Sequence, residues 1–194
     1  MKTITIDQDP EVWAEVPLEY PVGPYATQAD WALGLAEAYS DGRDDPDEVK
    51  AGLFAIASAL PVAPRLGLFE LLWYRPAIGT MPLLVNVYVA PGTGLEGIAL
   101  TELAGAYEAE PARPPIVDTL ESGVFGSVAR VLSFTKDEQR DRLLMHLSAA
   151  GRYEDVLVRI DAYTNDLGHG TAAADDFTAL LETFRFGDAP DLDA

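Results

Sequence analysis

The sequence predicts an α+β fold: an antiparallel sheet of about six strands flanked by helices. Three observations predict it. Strand-like runs occur at Phe125–Thr135, Leu143–Ala149 and Val156–Tyr163. The polar breaks between them, Lys136–Arg142 and Ala150–Asp155, are of hairpin length. An amphipathic helix follows, with Phe177, Leu180, Leu181 and Phe184 at i, i+3, i+4 and i+7. Strands joined by such short turns run antiparallel, because a parallel crossover takes a dozen or more residues. The pattern argues against a doubly wound nucleotide-binding architecture.

The remaining elements are read in chain order. Thr3–Ile6 and Val12–Leu18 are short strands, and Pro17 pushes the second toward a sheet edge. Pro21–Pro24 is a turn. Thr27 is placed as an N-cap, with Ala29, Ala32, Leu33, Ala36 and Tyr39 on one helix face. Asp45 is expected to cap a second helix with Pro46 in its first turn and Val49, Leu53, Ile56, Ala57 and Leu60 on its apolar face. Leu66–Tyr74 and Leu83–Ala90 read as strands, Ile98–Glu108 as a helix, Pro111–Pro115 as an extended connector and Ile116–Leu120 as a strand. The last helix is expected from about Ala173 to Phe184. Residues 1–186 are taken as one domain and 187–194 as a disordered acidic tail.

Of 194 residues, 48% are hydrophobic, enough for a full core. Thirty-two acidic residues against 13 Lys and Arg give a net charge of −19. Such a surface repels nucleic-acid phosphates and anionic lipid, so neither is expected as a partner. A basic or neutral protein partner is the functional reading of this charge; solubility, or the acidic bias of a high-GC or salt-adapted bacterial proteome, is the plainer one. The absence of cysteine removes disulfides, thiolate metal sites and Cys nucleophiles. The opening Met1–Asp7 has no apolar export region and no lipid-bearing Cys, and no run is long enough to span a bilayer. The expectation is cytoplasmic.

Gly92-Thr93-Gly94-Leu95-Glu96-Gly97 matches G-x-G-x-x-G after a strand, with Asp118 placed where a ribose-binding acid would fall. The loop would offer backbone N–H groups to a pyrophosphate. Glu96 sets a negative charge in that loop, Pro91 removes a donor beside it, and hairpins follow Asp118 instead of further βα units. A turn entering a helix is the plainer reading. A nucleotide- or small-ligand-binding enzyme using Gly92, Gly94, Gly97 and Asp118 is kept as the alternative function.

His146 sits mid-strand and His169 lies in the loop-like Gly168-His169-Gly170. Neither belongs to a metal-binding spacing, so no metal or other cofactor is expected. The acids at Asp41–Glu48 and Asp175–Asp176 do not follow a calcium-loop pattern and read as helix caps and solvated faces. No G-x-S-x-G elbow surrounds Ser127, and no catalytic residue is assigned. Arg130, Arg142, His146 and Arg159 are polar positions on adjacent strands. On one face they would form a mildly basic patch for a peptide or carboxylate partner, with Arg130, His146 and Arg159 as its centre. A solvated face with cross-strand ion pairs is the alternative. The scattered Trp13, Trp31, Trp73, Tyr74 and Tyr88 read as packing residues.

The run Pro82–Val89 followed by the Ile98–Glu108 helix, then Val124–Val131, Asp155–Ala162 and the closing helix Asp175–Phe184, resembles the PsbP/LpqN-like superfamily. The resemblance spans roughly the last 110 residues as a pattern of elements. It implies a sheet sandwiched by helices and a binding or accessory role without catalysis, and it supplies no catalytic residues. LpqN-type proteins are mostly exported lipoproteins, whereas no lipid-bearing Cys occurs here. The functional expectation is a non-enzymatic protein-binding accessory factor in a bacterial secretion or toxin–immunity system. A homo-oligomer sharing a sheet edge is a third, structural reading.

Overall fold

The computed structural model describes residues 2–62, 64–106, 112–137 and 142–188. Nine strands, four α-helices and one 3-10 turn are formed among them. Seven strands make one fully antiparallel sheet in the order β2-β3-β4-β8-β7-β6-β5. They are β2 (Trp13–Glu15), β3 (Leu68–Tyr74), β4 (Leu83–Pro91), β5 (Ile116–Ser122), β6 (Gly126–Asp137), β7 (Arg142–Tyr153) and β8 (Val156–Thr164). Among the described residues, the first strand, β1 (Lys2–Ile6), pairs only with the last, β9 (Phe184–Asp188). The α+β class and the antiparallel hairpins are as the sequence predicts, with seven strands in the main sheet instead of about six.

Side chains alternate across the sheet, so register assigns each residue a face. One face carries Leu72, Val85, Val87, Ile160, Val158, Leu147, Ala149 and Val128. Helix α4 (Leu167–Ala179), the 3-10 turn Leu180–Thr183 and Phe184 close it with Ala173, Phe177, Leu180 and Leu181. The opposite face is covered in two places. Helices α1 (Gln28–Ser40) and α2 (Pro46–Ser58) bury Ala14, Leu71 and Trp73. The four-residue helix α3 (Leu100–Leu103) and the turn after it lie over Ala129, Val131 and Ala150.

Several boundaries differ from the sequence expectation, for local physical reasons. The expected break at Ala150–Asp155 is mostly strand. Gly151 is there because a Cβ would come within 2.7 Å of the Phe125 ring, and Ala150 because α3 lies on it. The turn itself is only Glu154–Asp155, with Glu154 at φ +49°. The helix expected over Ile98–Glu108 shrinks to α3, with Gly105 just beyond it at φ +84°; Tyr107 and Glu108 lie outside the described residues. Pro111, at the start of the expected connector, and residues 138–141, in the expected β6–β7 break, also lie outside them.

The last helix begins earlier than Ala173, at Leu167. Gly168-His169-Gly170 forms its first turn, where Asp166 accepts a hydrogen bond from the His169 backbone N–H at 2.9 Å. It also ends earlier, because Phe184 turns into β9 to pair with β1. Gly187 and Asp188 complete that strand, so they are not part of a disordered tail; residues 189–194 lie outside the described residues. Thr27 caps α1 as expected, in a reciprocal capping box with Asp30. The buried face of α1 is Trp31, Ala32, Leu35 and Ala36, whereas Leu33 is exposed. Asp45 stands at the N-cap of α2 in a left-handed conformation and its side chain makes no capping hydrogen bond.

Phe177 is fully buried between α4 and the sheet. Phe177→Ala is expected to lower unfolding free energy by about 3–5 kcal/mol, measured by urea denaturation followed by circular dichroism.

Candidate functional site

Between the residues under α1–α2 and those under α3, the same face carries a polar strip on an otherwise apolar sheet. Register places Asn86 opposite Asp161 and Asp161 opposite Ser148. The next row holds Tyr163, His146 and Ser133, and the row on the other side holds Tyr88, Arg159 and Ala150. Asn86, Ser133, His146, Ser148 and Asp161 are all buried, while Tyr163 is 49% exposed. Five buried polar side chains on one patch need partners, since burial without them costs about 1–3 kcal/mol each.

For Asn86 and Asp161 the partners come from within the strip and its border. Arg65 donates to Asn86 Oδ1 at 3.4 Å, and Asn86 Nδ2 donates to Asp161 Oδ1 and to its carbonyl, each at 3.4 Å. Arg159 Nε lies 3.5 Å from Asp161 Oδ2. The His146 and Tyr163 rings stack face to face, 4.2 Å between centroids and 3° from parallel. Arg152 leaves the strip to donate to the Leu95 carbonyl at 2.7 Å.

Ser148, His146 and Asp161 share this face, but they are not assembled for nucleophilic catalysis. Ser148 Oγ has no hydrogen-bond partner among the described residues, so it has no base, and Ser148 is fully buried. Asp161 is engaged by Asn86 and Arg159. What the arrangement offers is a half-exposed aromatic ring stacked on His146, with the Arg159–Asp161 ion pair further along the same face. Among the described residues no group of three or more His, Asp or Glu side chains is placed to hold a metal ion.

His146 and Arg159 therefore share a face, as a common patch requires. Arg130 does not: it is opposite Ala149, whose side chain points into the α4 face. There Arg130 binds Asp118 at 2.8 Å and approaches Asp175 at 3.6 Å. The expected patch of Arg130, His146 and Arg159 is split by strand parity, which is a matter of one residue in register. Arg142 falls at the start of β7, beside Leu143 and Met81 at the end of the sheet.

The glycine loop is built for packing. Gly92 donates its backbone N–H to the Asp155 carbonyl, and a Cβ there would lie 3.1 Å from that oxygen. Backbone N–H groups of Glu96 and Gly94 hold the Glu96 carboxyl below its usual range. Those two donors, which a pyrophosphate would need, already serve a carboxylate. The helix beyond is four residues long. Three strands separate β4 from β5, so Asp118 stands roughly 19 Å away across the sheet at about 4.8 Å per strand. Gly92, Gly94, Gly97 and Asp118 do not form one site.

Sequence reasoning missed Asn86, Ser148 and Tyr163. The signal was present: a polar residue inside the apolar Leu83–Val89 run, and polar residues at alternate positions in His146/Ser148 and Arg159/Asp161/Tyr163. On the other face, at the β2 edge, burial pushes the Glu70 carboxyl up to about 7, with the Glu15 carboxylate adding to it. Glu70 Oε2 is buried without a hydrogen-bond partner among the described residues.

No family model matches the chain, and no curated protein matches it. Among solved structures, it is similar to LpqN, involved in cell envelope biogenesis of Mycobacterium tuberculosis. The identity is 11%, the match covers 96% of this chain and 84% of that one, and the TM-score is 0.49. The description of the fold rests on this chain's own strand order. No helix among the described residues is long and apolar enough to cross a membrane.

Two measurements check this account. Asp161→Ala removes the partner of Arg159 and Asn86 inside the sheet and is expected to lower stability by about 3 kcal/mol in chemical denaturation. Glu70 binds its proton more tightly folded than unfolded, so its destabilising effect is absent below pH about 4.5, grows through the interval and is complete above about 7. Glu70→Gln is therefore expected to stabilise the protein by about 1–2 kcal/mol at pH 8, after discounting for partial exposure, and to leave it unchanged at pH 4. Thermal melts at the two pH values read the difference.

Proposed function

We propose that the chain is a non-enzymatic accessory module that binds another protein through the sheet surface around Tyr163, His146 and Arg159. One observation carries the reading. The Tyr163 ring is half exposed yet stacked on buried His146, above a polar strip anchored by Asp161. An aromatic ring pre-positioned on a rigid sheet binds with little loss of side-chain entropy, which suits an interface anchor. A catalytic strip would instead need its serine linked to its histidine and open to substrate.

The partner in this proposal is basic or neutral. A net charge of −19 speeds encounter with a cationic protein and repels nucleic acid. A bacterial secretion or toxin–immunity system is a fitting setting, since an acidic binder suits the holding or masking of a basic secreted protein.

Photo-crosslinking in the native host tests the reading. With p-benzoylphenylalanine in place of Tyr163, irradiation is expected to give a discrete adduct with one other polypeptide. The same group at exposed Leu33 on α1 is expected to give none, and Arg159→Glu to diminish the Tyr163 adduct. An equal, diffuse ladder at both positions, or no adduct at Tyr163, would sink the proposal.

A further inference from the structure

At the other end of the sheet, β2 is an edge strand of three residues, and it forms one wall of the groove of about 860 Å³ between itself and α1. Its hydrogen-bond phase is fixed by two flanking bonds. Arg75 N–H donates to the Val12 carbonyl, and Val16 N–H to the Leu71 carbonyl, both at 2.8 Å. In an antiparallel ladder alternate residues turn toward the neighbour, so Val12, Ala14 and Val16 face β3 while Trp13 and Glu15 face outward. The Trp13 N–H is taken by the Asp9 carbonyl at 2.8 Å. The backbone N–H and C=O of Glu15 are therefore directed into the groove.

The groove is shaped, not merely open. Trp31 and Leu35 of α1 line it, and Tyr25 lies against Gly34, where a Cβ would come within 2.8 Å of the phenol. Its rim is acidic: Glu11, Glu15 and Asp41 border it. Of the two arginines there, Arg43 and Arg75, the second is already paired with Asp176 at 3.1 Å.

We propose that this groove receives an extended cationic segment of another polypeptide, added as a strand to the outer edge of β2. Strand addition supplies main-chain hydrogen bonds from the outward groups of Glu15, and the alternation of a strand supplies specificity. Lys or Arg side chains of the added strand meet Glu15 and Glu11, and the apolar residues between them reach the aromatic floor of Tyr25 and Trp31. A second copy of this chain brings a further −19 to an acidic rim, so charge selects a basic partner. The inference rests on the reading of the chain as a protein-binding module but concerns a different surface. A Tyr163 adduct without peptide binding at β2 would remove this proposal and leave the first intact.

Tryptophan fluorescence tests it on the whole chain, because two of its three tryptophans, Trp13 and Trp31, line the groove. The probe is a capped octapeptide of alternating Lys and Val, at about 0.15 M salt to suppress diffuse attraction. Saturable binding is expected, with at least about tenfold loss on N-methylating one central residue of the peptide, and a similar loss in the exposed pair Glu11→Lys, Glu15→Lys. Glu121→Lys, on the far edge strand β5, is expected to leave affinity within about twofold. The proposal is overturned if octalysine binds as tightly, if the N-methylated peptide is undiminished, if Glu121→Lys weakens binding as much as the groove variant, or if no saturable change occurs.

Discussion

The register of β7 against β8 is the constraint on which the rest of the molecule depends. The two-residue turn Glu154–Asp155 pairs Tyr153 with Val156, and every later pair follows from that. It sends Leu147, Ala149, Ile160 and Ala162 beneath α4, and His146, Ser148, Arg159 and Asp161 to the other side. A slip of one residue would bury the ionic row under Phe177 and expose the apolar one. Glu154 accepts a left-handed backbone to make so short a turn. The two central strands thereby carry the apolar core on one side and the polar strip on the other.

Around this pair the molecule solves two covering problems differently. The α4 face is continuous and apolar, and one helix with the β1–β9 ribbon closes it, with Phe125, Phe184 and Phe186 meeting edge to face or nearly parallel. The opposite face carries α1–α2 and α3 at its flanks and the buried polar strip between them. Small residues mark where these covers approach closely: Gly151 under Phe125, and Gly170 against Met145 and Thr164. The same residues weaken strand and helix signals in the sequence, because glycine is a poor former of either.

Charge organises the surface at a longer range. The ion pairs in the sheet, Asp118 with Arg130 and Arg159 with Asp161, use up basic groups that a sequence reading counts as available for a partner. The acids outnumber them so heavily that the remaining surface stays negative. The two proposed binding surfaces use this field in different ways. The strip around Tyr163 presents an aromatic ring stacked on a buried histidine, and the β2 groove presents acids beside an edge strand.

The sequence by itself determined the antiparallel class, the helix around Leu53 and Ala57, the Thr27 cap and the edge position of the strand before Pro17. These follow from periodicity, capping chemistry and proline's missing donor, all local properties. Only the tertiary structure decided that Arg130 lies on the face opposite His146 and Arg159, that Asp118 is distant from the glycine turn, and that Phe184 leaves the last helix to pair with the first strand. Each of those depends on which distant residues are neighbours and on strand parity. Both are set by turns and contacts far apart in the chain, and no local pattern of residue types records them.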